Sequence, residues 1–258
     1  LAERNALSVV KNQPAVQRMN LVNAEITKIS INTFVTTKIS FANMLAEICD
    51  HMPGGNVDVV TQAVGSDSRI GTKYLKGALG YGGPCFPRDN VALTRLAESL
   101  GVDAALPRAT DSVNDRQVAR VVNLVTEHVQ PGETIAVLGL AYKPDTPVCE
   151  RSQSVDIANE LFQAGYTVLV HDPQADAASA LDLNPIIEHA TDLDPLIESA
   201  TAVVIATAWP QFQSIRADQL RGKFVLDAWG ILSDQVSAVR LGRLQSDFHA
   251  QSKEGSLV

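Results

Sequence analysis

Apolar positions in the first half of the chain follow a helical spacing. Between residues 21 and 51 they recur every three or four residues, and the pattern stops at the Pro-Gly-Gly of residues 53–55. A helix of about 30 residues greatly exceeds the usual ~11–12 residues, which favours a spine that links domains or subunits. Shorter helical patterns follow at about 56–65, 89–100 and 108–129, so the first half is predicted to be all helix. The apolar positions of the long pattern are Val22, Ile26, Ile29, Val35, Ile39, Leu45 and Ile48.

After the Gln-Pro-Gly-Glu of residues 130–133, short apolar runs alternate with amphipathic segments. The strand-like runs are TIAVLGLAY, YTVLVHD, AVVIATA and KFVLDAW, and the segments between them are SVDIANELFQAG, DPLIESA and IRADQLR. Strands separated by helices predict a parallel sheet with right-handed crossovers. The expected fold class is α/β: a helical domain with a long spine helix over residues 1–129, a Rossmann-like domain over 130–246, and a polar tail over 247–258.

Composition narrows the class of protein. Apolar residues make up 45% of the 258 residues, enough to bury a core, and no apolar run has the length of a membrane span. The net charge of −8 disfavours a nucleic-acid surface but leaves a small anionic ligand open. Three cysteines are too few and too far apart for a disulfide framework or a zinc site. We expect a cytoplasmic protein with reduced thiols, and a piece of a longer one, because the chain begins at Leu1 rather than at Met.

Cys85 lies in the segment GYGGPCFPRD, residues 80–89. A helix is expected to begin after Pro87 with Asp89 as its N-cap, which would place the thiol near the partial positive charge of a helix N-terminus and favour the thiolate. Gly82 and Gly83 would leave room for a substrate at the sulfur. A buried, inert cysteine is the alternative, and the local context favours the two about equally.

Two further groups of residues could take part in chemistry. Lys28 and Asn32 lie four residues apart on one helix face, where a cation and an amide could stabilise an oxyanion, although a solvated face is the commoner explanation. Tyr142 and Lys143 follow the end of a predicted strand, where open α/β sheets bind ligands. Lys143 is therefore a candidate phosphate ligand, with an exposed turn lysine as the alternative.

The second half is not expected to bind a dinucleotide. Its first strand leads into GLAYKPD, residues 139–145, without the G-x-G-x-x-G that lets a pyrophosphate approach a helix N-terminus. Asp172 follows Gly139 by 33 residues, whereas the ribose-binding acid lies ~20 residues on. The Gly-Tyr-Gly of residues 80–82 has no strand clearly before it.

Three segments together resemble the UDP-glucose/GDP-mannose dehydrogenase family: AEITKISINTFVTTKISFAN at 24–43, YLKGALGYGGPCFPRD at 74–89 and VLGLAYKPDT at 137–146. The resemblance covers nearly the whole chain as the family's central and C-terminal domains. It implies oxidation of a nucleotide sugar's 6-hydroxyl to a carboxylate by NAD, through an aldehyde and a cysteine thioester. The cysteine motif GYGGPCFPRD resembles that of the family branch that converts UDP-glucose to UDP-glucuronate. The family's N-terminal NAD domain is absent from these residues, so the chain is expected to be the substrate-binding part, inactive alone.

The resemblance also implies residue roles. Cys85 corresponds to the nucleophile, Lys28 and Asn32 to the pair that stabilises the oxyanion at carbon 6, and Asp89 to the acid that positions water for thioester hydrolysis. Arg69 corresponds to an arginine that reaches into the neighbouring subunit's site, in a homodimer or higher homo-oligomer built on the long helix. The other substrate-binding residues implied are Tyr74, Leu75, Lys76, Gly82, Tyr142 and Lys143.

The chain departs from the family's pattern at two places. Residues 150–152 read Glu-Arg-Ser where many members have Arg-Glu-Ser, and Gly230 follows Trp229 where many have an arginine. Both departures concern contacts to the nucleotide. The alternative from a different class is a catalytically silent dimerisation and sugar-nucleotide-binding module. The presence of Cys85 together with Lys28, Asn32 and Asp89 favours the enzyme, because a silent module would not need all four.

Overall fold

The first half of the molecule is helical, as predicted. The structure, a computed structural model, describes residues 15–176 and 179–243, and the polar tail predicted over 247–258 lies outside them. Over the described residues of this half, the helices are α1 (Leu21–Asp50), α2 (Val57–Ser66), α3 (Phe86–Ser99) and α4 (Ala105–Thr126). The 30-residue α1 begins at a cap in which Asn20 Oδ1 accepts the Asn23 N–H at 2.9 Å. Helices α3 and α4 pack against α1, which places the loop before α3 beside the spine.

The long helix buries its small residues and exposes its large ones. Its buried positions are Thr33, Thr36, Ser40, Ala42, Asn43, Ala46 and Cys49. Large apolar side chains instead lie exposed along the other side, and we call these residues the apolar stripe: Ile31, Phe34, Phe41, Met44 and Ile48. Of the apolar positions that define the helical spacing, Ile29, Val35, Ile39 and Leu45 are half-buried, so the apolar stripe is a second apolar surface, which this single chain leaves uncovered. None of the described helices has the length and apolarity to cross a membrane.

The second half is a six-stranded parallel sheet, so the Rossmann-like expectation is confirmed. Its strands lie in the order β3-β2-β1-β4-β5-β6, a doubly wound arrangement whose direction changes between β1 and β4. Val137 of β1 pairs with Val170 of β2 and Val204 of β4, and all three are fully buried. The elements are β1 (Thr134–Leu138), α5 (Gln153–Gln163), β2 (Thr167–His171), β3 (Glu188–His189), α6 (Leu193–Ser199), β4 (Ala202–Ile205), β5 (Phe224–Asp227) and β6 (Val239–Arg240).

The prediction of a helix over IRADQLR, residues 215–221, was wrong. The connection from β4 to β5 contains a 3-10 helix at Pro210–Ser214, and residues 217–222 form turns. Gln219 Oε1 accepts the Arg216 N–H at 2.9 Å, a local side-chain bond that competes with helix formation. Trp209 and Phe212, both fully buried, cover the sheet here.

The chain returns to the helical half after β6. Gly242 N–H donates to Asp50 Oδ1 at 2.6 Å, and its carbonyl accepts the Val57 N–H at 2.8 Å. Arg243 donates to Asp58 Oδ2 through Nε at 2.9 Å and Nη2 at 2.5 Å. A second contact lies where α4 packs on α5. The two halves are thus joined at two places, by the return of the chain after β6 and by the packing of α4 on α5.

Candidate functional site

Cys85 occupies the N-cap position of α3 and its side chain is exposed. The helix begins at Phe86, three residues before the predicted start, so the prediction that Asp89 is the N-cap was wrong. Pro87 lies inside the first turn, where its missing N–H would have had no helical partner. The Asp89 N–H donates to the Cys85 carbonyl at 2.9 Å, which places Asp89 one turn beyond the thiol on the same side of the helix.

Asp89 joins α3 to the long helix. Asn32 Nδ2 donates to its Oδ2 at 2.5 Å, and Lys28 Nζ donates to the same oxygen in an ion pair. Arg88 Nε lies 3.4 Å from the other carboxylate oxygen. Burial alone would raise the pKa of Asp89, but the hydrogen bonds from Lys28 and Asn32 and the charges of Lys28 and Arg88 outweigh it and hold that pKa below its usual range. The structure therefore brings together Lys28, Asn32 and Asp89, one helical turn from the thiol.

Replacing Asp89 by Asn should remove part of the acid dependence of stability. A carboxylate whose pKa is lower folded than unfolded contributes stability above its unfolded pKa of ~3.9, and loses it as the pH falls through the folded value. We expect Asp89→Asn to lower the free energy of unfolding at pH 7 by about 1–3 kcal/mol. The deficit should shrink towards pH 2. Urea unfolding across this pH range measures it, with Glu127→Gln at an exposed carboxylate as the control, and a deficit that stays constant with pH would contradict the assignment.

Three amide side chains hold the segment that leads to Cys85. We call residues 78–85 the cysteine segment. Asn43 Oδ1 accepts the Ala78 N–H at 2.9 Å while its Nδ2 donates to the Leu79 carbonyl at 3.2 Å. Asn114 bonds both backbone groups of Tyr81, at 2.7 and 3.1 Å. Gln153 Oε1 accepts the Gly80 N–H at 2.6 Å. Sequence reasoning missed all three amides; an Asn between the buried Ala42 and Ala46 was the available signal, because a buried amide needs partners.

A second buried network anchors Tyr81. Its hydroxyl donates to Asp111 Oδ1 and accepts from Asn90 Nδ2 at 3.0 Å, while Asn90 Oδ1 accepts from Thr36 Oγ1 at 3.0 Å. Burial, followed by the hydrogen bond to Asp111, raises the pKa of the Tyr81 phenol, so it remains a neutral donor. The network links α1, α3 and α4 directly behind the cysteine segment.

Gly82 and Gly83 fit against the loop that follows β1. A Cβ on Gly82 would lie 2.1 Å from the Arg151 carbonyl oxygen, and one on Gly83 would lie 2.6 Å from the Tyr142 ring. Gly83 also has a φ of 80°, which favours glycine. The expected open space beside these glycines is therefore filled by Tyr142 and Arg151. A substrate contact by Gly82 stays a prediction.

Four further residues named by the resemblance lie in the connection between α2 and α3. Tyr74 is exposed and has a φ of 62°, a strained value of the kind that clusters at functional sites, and Leu75 beside it is buried. Lys76 Nζ pairs with Asp58 Oδ1 at 3.1 Å. Arg69 pairs with Asp67 at the surface, at 2.6 Å, and its side chain is 86% exposed.

Lys143 follows the carboxyl end of β1, next to the point where the strand order changes direction. Its Nζ lies 5.7 Å from the centroid of the Tyr142 ring and makes no ion pair with any residue that the structure describes. Asp145 and Arg151, in the same loop, have φ values of 63° and 53°. An unpaired lysine in a strained loop at this edge of the sheet suits an anionic ligand.

Asp172 closes the turn where a dinucleotide would bind. Its carboxylate accepts the backbone N–H groups of Leu140 and Ala141 at 2.7 and 3.0 Å, and the buried Trp209 Nε1–H at 3.0 Å. Those two N–H groups are therefore not free to bind a pyrophosphate, and the next helix begins only at Gln153. The described residues do not fit NAD at this turn.

The helices and the sheet each match a family model. Residues 22–116 match the central domain of the UDP-glucose/GDP-mannose dehydrogenase family, and residues 136–234 match that family's UDP binding domain. The chain belongs to the UDP-glucose/GDP-mannose dehydrogenase family. The central domain of this dehydrogenase family thus contains Cys85 with Lys28, Asn32 and Asp89, and the UDP binding domain contains Lys143.

Several dehydrogenases of the family are similar to the chain. UDP-glucose 6-dehydrogenase TuaD of Bacillus subtilis is 39% identical over 78% of this chain and 44% of its own length. UDP-glucose 6-dehydrogenase AglM of Haloferax volcanii is 34% identical over 85% of this chain and 51% of its own. The structure of a UDP-glucose dehydrogenase from Pyrobaculum islandicum superposes with a TM-score of 0.82 at 35% identity, covering 93% of this chain and 56% of that one. The chain spans about half the length of the curated relatives it matches.

Proposed function

We propose that this chain is the substrate-binding part of a nucleotide-sugar 6-dehydrogenase that converts UDP-glucose to UDP-glucuronate. The observation that carries the proposal is the cluster of Lys28, Asn32 and Asp89 one helical turn from the exposed thiol of Cys85. The names of the relatives support UDP-glucose as the substrate. A UDP-D-ManNAc dehydrogenase of Pyrococcus horikoshii is 27% identical, with a TM-score of 0.77, so the fold alone does not select the sugar.

The cluster supplies groups for the covalent steps at carbon 6. The Cys85 thiolate adds to the carbonyl carbon of the aldehyde, a C–S bond forms, and the carbonyl oxygen becomes an oxyanion. Lys28 and Asn32 are the donors for that oxyanion; an ammonium has three N–H groups, so Lys28 can serve it while keeping Asp89. In hydrolysis of the later thioester, water adds to the carbon, the C–S bond breaks, and Cys85 leaves as a thiolate. Asp89, an ionised carboxylate, is suited to position that water.

NAD would accept the hydride in each of the two oxidations, and the turn after β1 does not fit it. We therefore place NAD mainly on a part of the longer protein outside these residues. The UDP half of the substrate would lie on the loop after β1, at Tyr142 and Lys143, with Tyr74, Leu75, Lys76 and Gly82 around the sugar. The boundary between the two domains would then fall near residue 130.

Calorimetry should detect a UDP-sugar but not NAD binding to the 258-residue chain. The Lys143 ammonium can pair with a phosphate, and Lys143→Ala is expected to weaken UDP-glucose binding about tenfold or more. Arg221→Ala is the matched control, because Arg221 is exposed just before β5, at the opposite edge of the sheet. Clear micromolar binding of NAD would contradict the division of labour, and failure to bind any UDP-sugar would remove the proposed function.

The proposed assembly is a homodimer that covers the apolar stripe of α1. Phe34 is 66% and Ile31 58% exposed, and burying such side chains against a second copy gains about 1.5–3 kcal/mol for each. Arg69, which extends from the surface of the same half, is proposed to serve the neighbouring subunit's site.

Light scattering at micromolar concentration should give twice the chain mass of 27.6 kDa. We expect Phe34→Asp combined with Phe41→Asp to halve the mass, because each places a charge in the covered stripe. Leu181→Asp, at a side chain that is 88% exposed on the other half, should leave the mass unchanged. Arg69→Ala should weaken UDP-sugar binding and preserve the dimer. A parent chain that scatters as a monomer would refute this assembly.

A further inference from the structure

Gln153 is the first residue of α5, and its side chain reaches from the sheet half into the helical half. Its Oε1 accepts the Gly80 N–H at 2.6 Å, and its Nε2 donates to the Asn114 carbonyl at 2.8 Å. The side chain is buried, with 8% of the residue exposed. Both ends of the amide therefore have partners in the helical half, although Gln153 belongs to the loop and helix that follow Lys143.

The cysteine segment is shaped to receive this amide. A Cβ on Gly80 would lie 2.6 Å from Gln153 Nε2 and 2.1 Å from Asn114 Oδ1, so a larger residue would displace one of the two side chains. Asn114 itself bonds Tyr81, the next residue. Gly80, Asn114 and Gln153 thus form one close-packed group.

A second attachment lies three residues further along. The Gly83 N–H donates to the Glu150 carbonyl at 3.0 Å, and Tyr142 lies against Gly83. The loop that presents Tyr142 and Lys143 is therefore bonded to the cysteine segment at Gly83, and the start of α5, which follows that loop, is bonded to it at Gly80. Two bonds on a short segment restrict its angle as well as its position.

We propose that Gln153 is a positioning residue for Cys85. It holds residues 80–83 against the nucleotide-facing loop, so that the thiol keeps one distance from the sugar of a nucleotide bound at Tyr142 and Lys143. The inference rests on the proposed function and extends it, because it names the side chain that fixes the cysteine segment relative to the nucleotide-facing loop.

The hypothesis that Gln153 is purely structural and the hypothesis that it positions Cys85 predict different kinetics. Loss of a purely structural amide lowers the free energy of unfolding and leaves kcat of the folded enzyme unchanged. Loss of a positioning amide lowers kcat while KM for the nucleotide sugar stays nearly constant, since the nucleotide contacts are intact. A displacement of about 1 Å at the reacting atom costs on the order of 100-fold in rate.

The test compares steady-state kinetics of the longer protein that includes an NAD domain with those of Gln153→Ala, Gln153→Glu and Gln163→Ala. We expect Gln153→Ala to lower kcat by about 10- to 100-fold with KM for UDP-glucose changed less than about threefold. Gln153→Glu keeps the acceptor for Gly80 and loses the donor to Asn114, so its loss should be smaller. Gln163 is exposed at the end of the same helix, and its variant should match the parent.

Hydrogen exchange on the 258-residue chain supplies the second measurement. UDP should slow exchange over residues 76–85 in the parent and much less in Gln153→Ala, while its effect over residues 139–152 is retained. Unchanged kcat in folded Gln153→Ala, or equal UDP protection of residues 76–85 in both chains, would overturn the positioning role. If the longer parent itself makes no acid product, the proposed function fails and this inference fails with it.

Discussion

Brief iodoacetamide treatment of the folded chain is expected to label Cys85 at least ~1,000-fold faster than Cys149. Cys149 is 4% exposed, and burial, followed by the charges of Asp172 and Asp176, raises the pKa of its thiol to about 12. At pH 7.5 such a thiol is a thiolate in only about one molecule in 30,000. Burial and the charge of Asp50 also raise the pKa of Cys49, which is 6% exposed. Only Cys85 of the three is exposed, and it lies at a helix N-terminus.

Mass-spectrometric peptide mapping after quenched pulses measures the three labelling rates. The control is the same chain in concentrated urea, where the environments are lost and the three rates should converge. The assignment of Cys85 as the reactive thiol fails if Cys49 or Cys149 reacts first in the folded chain.

Cys85→Ser in the longer protein should lower formation of the sugar acid by about 1,000-fold or more. A serine hydroxyl is ionised far less readily than a thiol, so the covalent addition at carbon 6 loses its nucleophile. UDP-glucose binding should remain, because the proposed nucleotide contacts at Tyr142 and Lys143 do not involve the sulfur. Chromatography of the acid product, together with calorimetry of UDP-glucose binding, separates these two effects.

Cys49→Ala is the matched control, since it also removes one thiol but from the buried side of α1 near its C-terminal end. It should reduce stability slightly and keep turnover. If Cys85→Ser forms the sugar acid at nearly the parental rate, the reaction does not need a covalent intermediate on Cys85. If the parent itself shows no activity, the silent binding module is favoured.

The architecture was predictable because its signals are local. A run of helical spacing over residues 21–51 specified α1 almost to the residue, and alternating apolar and amphipathic segments specified the central strands. The two-residue strands β3 and β6 were missed because such short elements depend on their neighbours in the sheet. The segment IRADQLR has helical composition. The packing of the buried Phe212 just before it and the bond from Arg216 N–H to Gln219 Oε1 favour turns there instead.

The candidate site was only partly predictable. Lys28 and Asn32 share a helix face by spacing alone, and the resemblance joined them to Asp89. By contrast, the bond from Gln153 to Gly80 connects residues 73 positions apart, and no periodicity encodes it. Which side of α1 faces outward was not predictable either, because spacing reveals an apolar face but does not show whether this chain or another covers it.

The return of the chain from β6 to α1 and α2 has a consequence for synthesis. The bond from Gly242 to Asp50 spans 192 residues, and closing so long a loop is entropically costly until both ends are otherwise ordered. The helical half leaves the ribosome before the sheet half, yet part of the surface around Asp50 and Val57 stays open until β6 and Gly242 have been translated. We therefore expect the nascent helical half to expose a hydrophobic, chaperone-accessible surface at Ala46 and Val57 until Gly242 packs against them.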